Sequence, residues 1–305
     1  MAIGARIPMI DAVARVTGSI DYVLNVELPG MLHAKVLRSP HAHARIVRVD
    51  ASRAAAEPGV RAVLVGPELG ARTDIVTTFG LFIRDQSAVA TDTVRYVGEP
   101  VAAVAADDPQ TAQRALDLIE VEYEPLPAVF DVEEALVPGA PILHPGPRML
   151  ASRRADVVAR QPGFEGSNVI HLFTQRKGDV EAGFAAADEI VEHTWYSPPV
   201  AHVPFEPHVA VAQWAPDRLT VWTSTQAPHW IGIELANMFR MPASQVRVIT
   251  TTLGGAYGAK IDPAIEPIVA LLAQGARRPV RLALEGTRSS SPTRSMRRGS
   301  ASGPA

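Results

Sequence analysis

Prolines crowd one stretch of the chain: Pro125, Pro127, Pro138, Pro141, Pro145, Pro147 and Pro162. Each one fixes φ and removes a backbone donor, so this stretch cannot be a core strand or helix. Arg153-Arg154 and Gln161-Pro162-Gly163 belong to it as well. It is a connecting segment, expected over residues 126–167, and it cuts 305 residues into two parts. That length suits about two domains of roughly 100–200 residues each. With 47% hydrophobic and 20% charged residues, each part can build a core.

Both parts alternate strand and helix patterns. Before the break, Met31–Arg38, Ala44–Val49, Val60–Val65 and Pro100–Ala105 read as strands. Asp50 is placed to cap a short helix over Ala51–Glu57, which Pro58-Gly59 stops. Asp107-Asp108-Pro109 opens a helix to about Leu118, with Pro109 suited to its first position, and Ile119–Tyr123 returns as a strand. After the break, Asp179 caps a helix to about Ala187, and Glu189–Tyr196 reads as a long strand. Val209–Trp214 and Leu219–Thr223 form a hairpin around Ala215-Pro216-Asp217. Pro228–Met238 has helical periodicity, Pro242 starts a short helix, and Val246–Thr250 is a strand. Pro263–Gln274 is a helix expected to end at Gly275, and Pro279–Leu284 is a last strand. The fold class is α+β, with units expected over 8–125 and 168–284.

Composition removes several function classes. Cysteine is absent, so these residues supply no disulfide, iron–sulfur ligand or zinc thiolate. No run of about 18 apolar residues marks a membrane span, and the N-terminus has no basic-then-apolar leader. A net charge of −3 gives no electrostatic case for nucleic acid or an anionic membrane. A cytoplasmic location is the expectation. Lysine occurs only at Lys35, Lys177 and Lys260, the other 26 of 29 basic residues being arginine, which points to a GC-rich coding sequence. The stretch 285–305 differs from the rest. After Glu285 it holds no acidic residue but has Arg288, Arg294, Arg297, Arg298 and six serines, the composition of a disordered tail.

Four clusters could carry chemistry. Gly254-Gly255-Ala256-Tyr257-Gly258-Ala259-Lys260 lies between a strand and a helix, where glycines let the backbone turn sharply and present successive N–H groups. It is no P-loop, since Ala259 and Ile261 stand where Gly and Ser/Thr are required, and Ala256 breaks the dinucleotide fingerprint. Thr225-Gln226 ends a strand, where Gln226 can donate and accept and Ser224 or Thr225 can cap the next helix. His202 and Glu206 have a spacing open to a metal pair, but prolines at 204 and 207 argue against a helix. A loop packed by Phe205, with Glu206 accepting backbone hydrogen bonds, is expected instead. His33, His41 and His43 read as surface or turn residues, and no metal site is expected.

Taken in order, these segments resemble the molybdopterin-binding large subunit of the xanthine dehydrogenase/aldehyde oxidase family over about residues 8–284. Arg15-Val16-Thr17-Gly18, Leu28–Ala34, Leu37–Ala44 and Val97–Val104 resemble its a/b-hammerhead domain. Glu206-Pro207-His208, Thr225–His229, Gly254–Lys260 and Arg278-Pro279-Val280-Arg281 resemble the first lobe of its molybdopterin-binding domain. The resemblance implies a molybdenum–pterin cofactor, in the cytosine dinucleotide form. It implies water-derived hydroxylation of an aldehyde, an N-heterocycle or a related carbon. Electrons would leave through an FAD-binding medium subunit and a [2Fe-2S] small subunit. On the family pattern Gln226 hydrogen-bonds an oxygen ligand of the molybdenum, and Gly255, Ala256, Tyr257 and Gly258 form the turn whose N–H groups contact the cofactor.

Three residues depart from the family turn: Ala256, Tyr257 and Ala259 stand for Gly, Phe and Gly. Ile261 stands where purine-type members often have an acid, so purine specificity is not implied. No residue here matches the family's catalytic glutamate, which is expected beyond these residues. After Glu285 the family pattern is acidic. GAG GAG TTC CTC ACC read one base late encodes Arg-Ser-Ser-Ser-Pro, as at Arg288–Pro292. The expectation is therefore a frameshifted tail on a truncated, inactive large subunit that exposes apolar surface and aggregates. The alternative is a non-catalytic assembly module docking partner subunits; nucleotide binding by the 254–260 turn ranks below both.

Overall fold

A computed structural model describes residues 4, 6–80, 84–145, 166–169, 175, 177–198 and 200–285. Among the described residues there are twelve strands: β1 Leu32–Arg38, β2 Ala44–Asp50, β3 Val60–Val65, β4 Thr78–Phe79, β5 Gln86–Ser87, β6 Thr93–Val94, β7 Pro100–Ala106, β8 Glu120–Pro125, β9 Val209–Ala215, β10 Arg218–Thr223, β11 Val246–Ile249 and β12 Val280–Ala283. The helices among them are α1 Ala12–Thr17, α2 Ser52–Ala56, α3 Gly66–Gly70, α4 Pro109–Asp117, α5 Val180–Ala185, α6 Pro228–Met238 and α7 Glu266–Ala276.

Strands from both sides of the proline-rich stretch share one seven-stranded sheet, in the order β11-β10-β9-β12-β1-β7-β3. The joint is the parallel pairing of Leu32–Ala34 with Val280–Leu282. Arg278 reinforces it, giving Nη1 to Asp107 at 2.9 Å and Nε to the Gly30 carbonyl at 2.9 Å. A second sheet, β6-β2-β8, stands apart.

The large sheet is covered on both faces, which explains its sequence. Val101–Ala106 of β7 is buried throughout, so it reads as a continuous apolar run without alternation. On one face lies α7, with Glu266–Ala273 all buried, packed with Leu32, Leu219, Val280 and Leu282. On the other, Ala115 and Leu116 of α4 pack with Ala54, Val65, Ala102 and Val104. Each fully buried large apolar side chain contributes roughly 1.5–3 kcal/mol, so these two layers are the main source of stability.

Helix α4 starts as expected: Asp108 accepts the Thr111 N–H at 2.8 Å and Pro109 follows. Asp179 likewise caps α5 by accepting the Ala182 N–H at 3.0 Å.

Four expectations need correction. Asp50 is not the cap residue of α2; Ala51 is, and Asp50 ends β2 while accepting from the Ser52 N–H and hydroxyl. Helix α7 begins at Glu266, after the turn around Pro263. It passes through Gly275 and ends where Arg277 takes a left-handed φ of 52°, two residues before Pro279 stops the helix. The largest difference is Glu189–Tyr196, which forms no strand and is exposed along its length. Phe205 does not pack its loop but is almost fully exposed. Among the described residues no helix is long and apolar enough to cross a membrane. The tail beyond Glu285 and residues 146–165 lie outside the described residues.

Candidate functional site

The arrangement of β9, β10 and β11 brings three chain segments to one end of the sheet. β10 and β11 are parallel, so the residues following Thr223 and Ile249 emerge side by side. β9 is antiparallel to β10, so the residues preceding Val209 reach the same end. Carboxyl ends of adjacent parallel strands are a common place for ligands. Here they bring together Glu206-Pro207-His208, Thr225-Gln226 and the turn 254–260.

The turn takes its shape from three left-handed residues. Gly255 has φ 96°, Tyr257 φ 54° and Gly258 φ 93°. Ala256, which replaces a family glycine, has no positive φ; its methyl is buried and its carbonyl accepts the Ala259 N–H at 2.9 Å. The unusual residue is Tyr257, a bulky side chain in a region that costs about 1–2 kcal/mol outside glycine. Tyr257 is 67% exposed, and Gly258 and Gln226 are exposed as well. Gly254 is required for a different reason: a Cβ there would sit 2.6 Å from the Glu206 Cβ.

Gln226 is oriented by this turn. Its Oε1 accepts the Gly258 N–H at 3.1 Å, which fixes the amide so that Nε2 carries the two free donors. Its own N–H donates to the Lys260 carbonyl at 2.8 Å. Thr225 adds a hydroxyl bond to the same carbonyl at 2.9 Å and accepts the Ala227 N–H at 3.1 Å. So Thr225 organises the start of α6, although the cap residue itself is Ala227. Among the described residues, the N–H groups of Gly255, Ala256 and Tyr257 and the Nε2 of Gln226 meet no protein acceptor. Successive N–H groups left without protein acceptors can bind anions and oxygen-rich groups.

Beneath the turn lies a buried charged layer that the sequence reading missed. Lys260 Nζ donates to Glu206 Oε2 at 2.9 Å, with the two side chains 0% and 5% exposed. Burial pushes the Lys260 ammonium below its usual value, and the Glu206 carboxylate opposes that shift. Beside it, Glu266 at the start of α7 accepts the Thr223 hydroxyl at 2.6 Å and the N–H groups of Ala264 and Ile265. His208 Nε2 lies 3.2 Å from the Ala259 carbonyl. Glu206 does accept a backbone N–H, that of Gly254 at 2.9 Å, as expected.

Thus Gln226, Gly255, Ala256, Tyr257 and Gly258 meet in one place. His33, His41 and His43 lie elsewhere: His41 stacks near Tyr123 at 4.8 Å, and His43 Nδ1 is 2.6 Å from the Pro127 carbonyl.

Comparison with known proteins matches both parts. Residues 17–127 fit the family described as "Aldehyde oxidase and xanthine dehydrogenase, a/b hammerhead domain". Residues 163–299 fit the "Molybdopterin cofactor-binding domain", a match that runs past Glu285. A probable xanthine dehydrogenase subunit from Bacillus subtilis is 35% identical over 273 residues, 89% of this chain and 33% of that one. The nicotinate dehydrogenase large molybdopterin subunit of Eubacterium barkeri is 34% identical over 275 residues, 90% of this chain and 59% of that one. Among solved structures, quinoline 2-oxidoreductase from Pseudomonas putida 86 superposes with a TM-score of 0.77 at 30% identity, covering 95% of this chain and 35% of that one. Aldehyde oxidoreductase from Desulfovibrio gigas gives 0.78 at 28%, covering 94% and 31%. The chain therefore spans between about a third and three fifths of the proteins it matches.

Proposed function

This chain belongs to the xanthine dehydrogenase/aldehyde oxidase family, within its molybdopterin-binding large subunit, and we propose that Gln226 and the turn Gly255–Gly258 hold a molybdenum–pterin cofactor. The observation that carries this reading is the Gly258 N–H bond to Gln226 Oε1, 3.1 Å long. It assigns the amide so that both Nε2 donors of Gln226 are left without a protein acceptor among the described residues, as are the N–H groups of Gly255, Ala256 and Tyr257 in the same turn. This donor set fits an anionic, oxygen-rich group and has little use for a bare cation. In the cytosine dinucleotide form proposed here, the bound cofactor supplies hydroxylation of an aldehyde, an N-heterocycle or a related carbon with oxygen from water.

The chain's own residues orient and exclude. Gln226 offers two fixed donors, and fixed donors need no reorganisation when charge develops near them. The exposed Tyr257 ring adds an apolar surface with a polar tip to this turn. None of these side chains is a suitable proton acceptor at neutral pH, so the role assigned to them is cofactor contact. The general base of the family matches no residue here, and we assign it to large-subunit sequence not among these 305 residues. Electrons would pass to an FAD-binding medium subunit and a [2Fe-2S] small subunit; the relatives named above are themselves subunits. Residues 8–125 are taken as the hammerhead unit, 126–167 as the connection and 168–284 as the opening lobe of the cofactor domain.

Titration of the chain with the isolated cofactor tests this reading. Gln226→Ala is expected to weaken binding about ten- to a hundredfold, the usual cost of losing a hydrogen bond to a charged group. Unchanged affinity in that variant contradicts it.

A further inference from the structure

Both ends of the 254–260 turn converge on one buried carboxylate oxygen. Glu206 Oε2 accepts the Gly254 N–H at 2.9 Å and the Lys260 ammonium at 2.9 Å. The Glu206 N–H returns a bond to the Gly254 carbonyl at 3.1 Å. The Lys260 carbonyl in turn receives the Thr225 hydroxyl and the Gln226 N–H. The carboxylate thus sets the distance between the ends of the turn, and Lys260 relays that constraint to Gln226.

The pair is nearly inaccessible: Glu206 is 7% and Lys260 1% exposed. Glu206 Oε1 is buried and has no hydrogen-bond partner among the described residues. An apolar pair of equal volume would fill this space without desolvating two charges. What the charged pair adds is direction, two donors held at a single atom. The close approach at Gly254 has the same consequence, since it leaves no room for the strand end to shift away from Glu206.

We propose that Glu206 and Lys260 form a positioning pair that clamps the ends of the 254–260 turn and thereby positions its unpartnered N–H groups and Gln226. The consequence for cofactor binding rests on the function proposed above, whereas the clamp can be tested on the chain alone.

Amide hydrogen exchange by mass spectrometry, on the whole chain, is the test. In Glu206→Gln the neutral amide can still accept the Gly254 N–H but strands the ammonium. Exchange across 254–260 is expected to accelerate about ten- to a hundredfold while Ile268–Leu272 of α7 keeps its protection. The double variant Glu206→Gln/Lys260→Met removes the stranded charge as well. A positioning role predicts that its overall stability recovers but the turn stays fast-exchanging, because the link is gone. A merely structural pair predicts that both recover, and that result overturns the proposal, as does unchanged exchange in Glu206→Gln. If the single variant does not fold, the double variant decides alone. Retained pterin, measured on the same proteins, falls with the clamp in both variants. A wild-type chain that binds no pterin counts against the cofactor reading and leaves the exchange result standing.

Discussion

Two stretches of this chain have strand-forming sequence and opposite fates. Val209–Ala215 lies between β10 and β12, with Val209–Ala212 fully buried. Glu189–Tyr196 has the same β-branched and aromatic character, yet Ile190, Val191, Trp195 and Tyr196 are all more than half exposed and form no ladder. The difference teaches that strand propensity describes fitness for a pleated, covered surface, not the presence of that surface. Val209–Ala215 finds its neighbours within these residues. Glu189–Tyr196 finds none among the described ones, and Val200, Val203 and Phe205 extend the same uncovered stretch.

The sharpest way to break that contrast is to place a charge in each stretch. Val211→Asp buries an unpaired carboxylate between two strands and is expected to cost at least 3–5 kcal/mol, about what a broken buried ion pair costs, enough to prevent stable folding. Val191→Asp is expected to stay within about 0.5 kcal/mol of the parent. Urea melts of the two variants check this, and equal losses would mean that 189–196 is covered in solution. Limited chymotrypsin digestion sharpens the contrast next. Cuts at Phe184, Trp195, Tyr196 and Phe205 should appear well before any within β9 or β10, because cleavage follows local opening. Early cuts inside β9 or β10 would reverse the assignment. A smaller effect is expected from Trp195→Ser with Tyr196→Ser. It should reduce self-association seen by light scattering and leave the melting transition of the body in place.

The smallest effect probes the paired side, at the joint of the two halves. Burial, and then the Arg281 charge opposite it on β12, hold the His33 imidazole below its usual 6.5. Just below that pH the unfolded chain therefore binds more protons than the folded one. The associated stability is complete above about pH 6.5 and is lost as pH falls. His33→Gln should flatten the loss, because the neutral amide takes up no proton in either state. Melts between pH 7.5 and 5 measure it, and identical slopes for parent and variant would remove His33 from the account.

Local chemistry made much of the molecule legible. Alternation in Leu32–Arg38, the unbroken apolar run of Pro100–Ala106 and the Asp108-Pro109 start of α4 were all readable from neighbouring residues. So was the meeting of Gln226 with the 254–260 turn, once the motif order pointed to the family. Long-range pairing was not legible. Nothing in Leu32–Ala34 names Val280–Leu282, some 250 residues away, as its partner. The Glu206–Lys260 pair was hidden for the same reason, because its members lie 54 residues apart and nothing local to either names the other. The failed strand at Glu189–Tyr196 shows the converse, a clear local pattern without a partner to complete it.

The central claim is that the face built by Gln226 and Gly255–Gly258 holds a molybdenum–pterin cofactor. The most direct measurement is the molybdenum and pterin content, per mole, of the chain purified from cells that make the cofactor. It should be set beside Gly258→Val, which places a branched side chain at φ 93° and disrupts the bond to Gln226. The account predicts molybdenum and pterin in equal amounts in the parent chain and a loss of at least tenfold in the variant. Equal contents in the two proteins, or none in the parent, would contradict it.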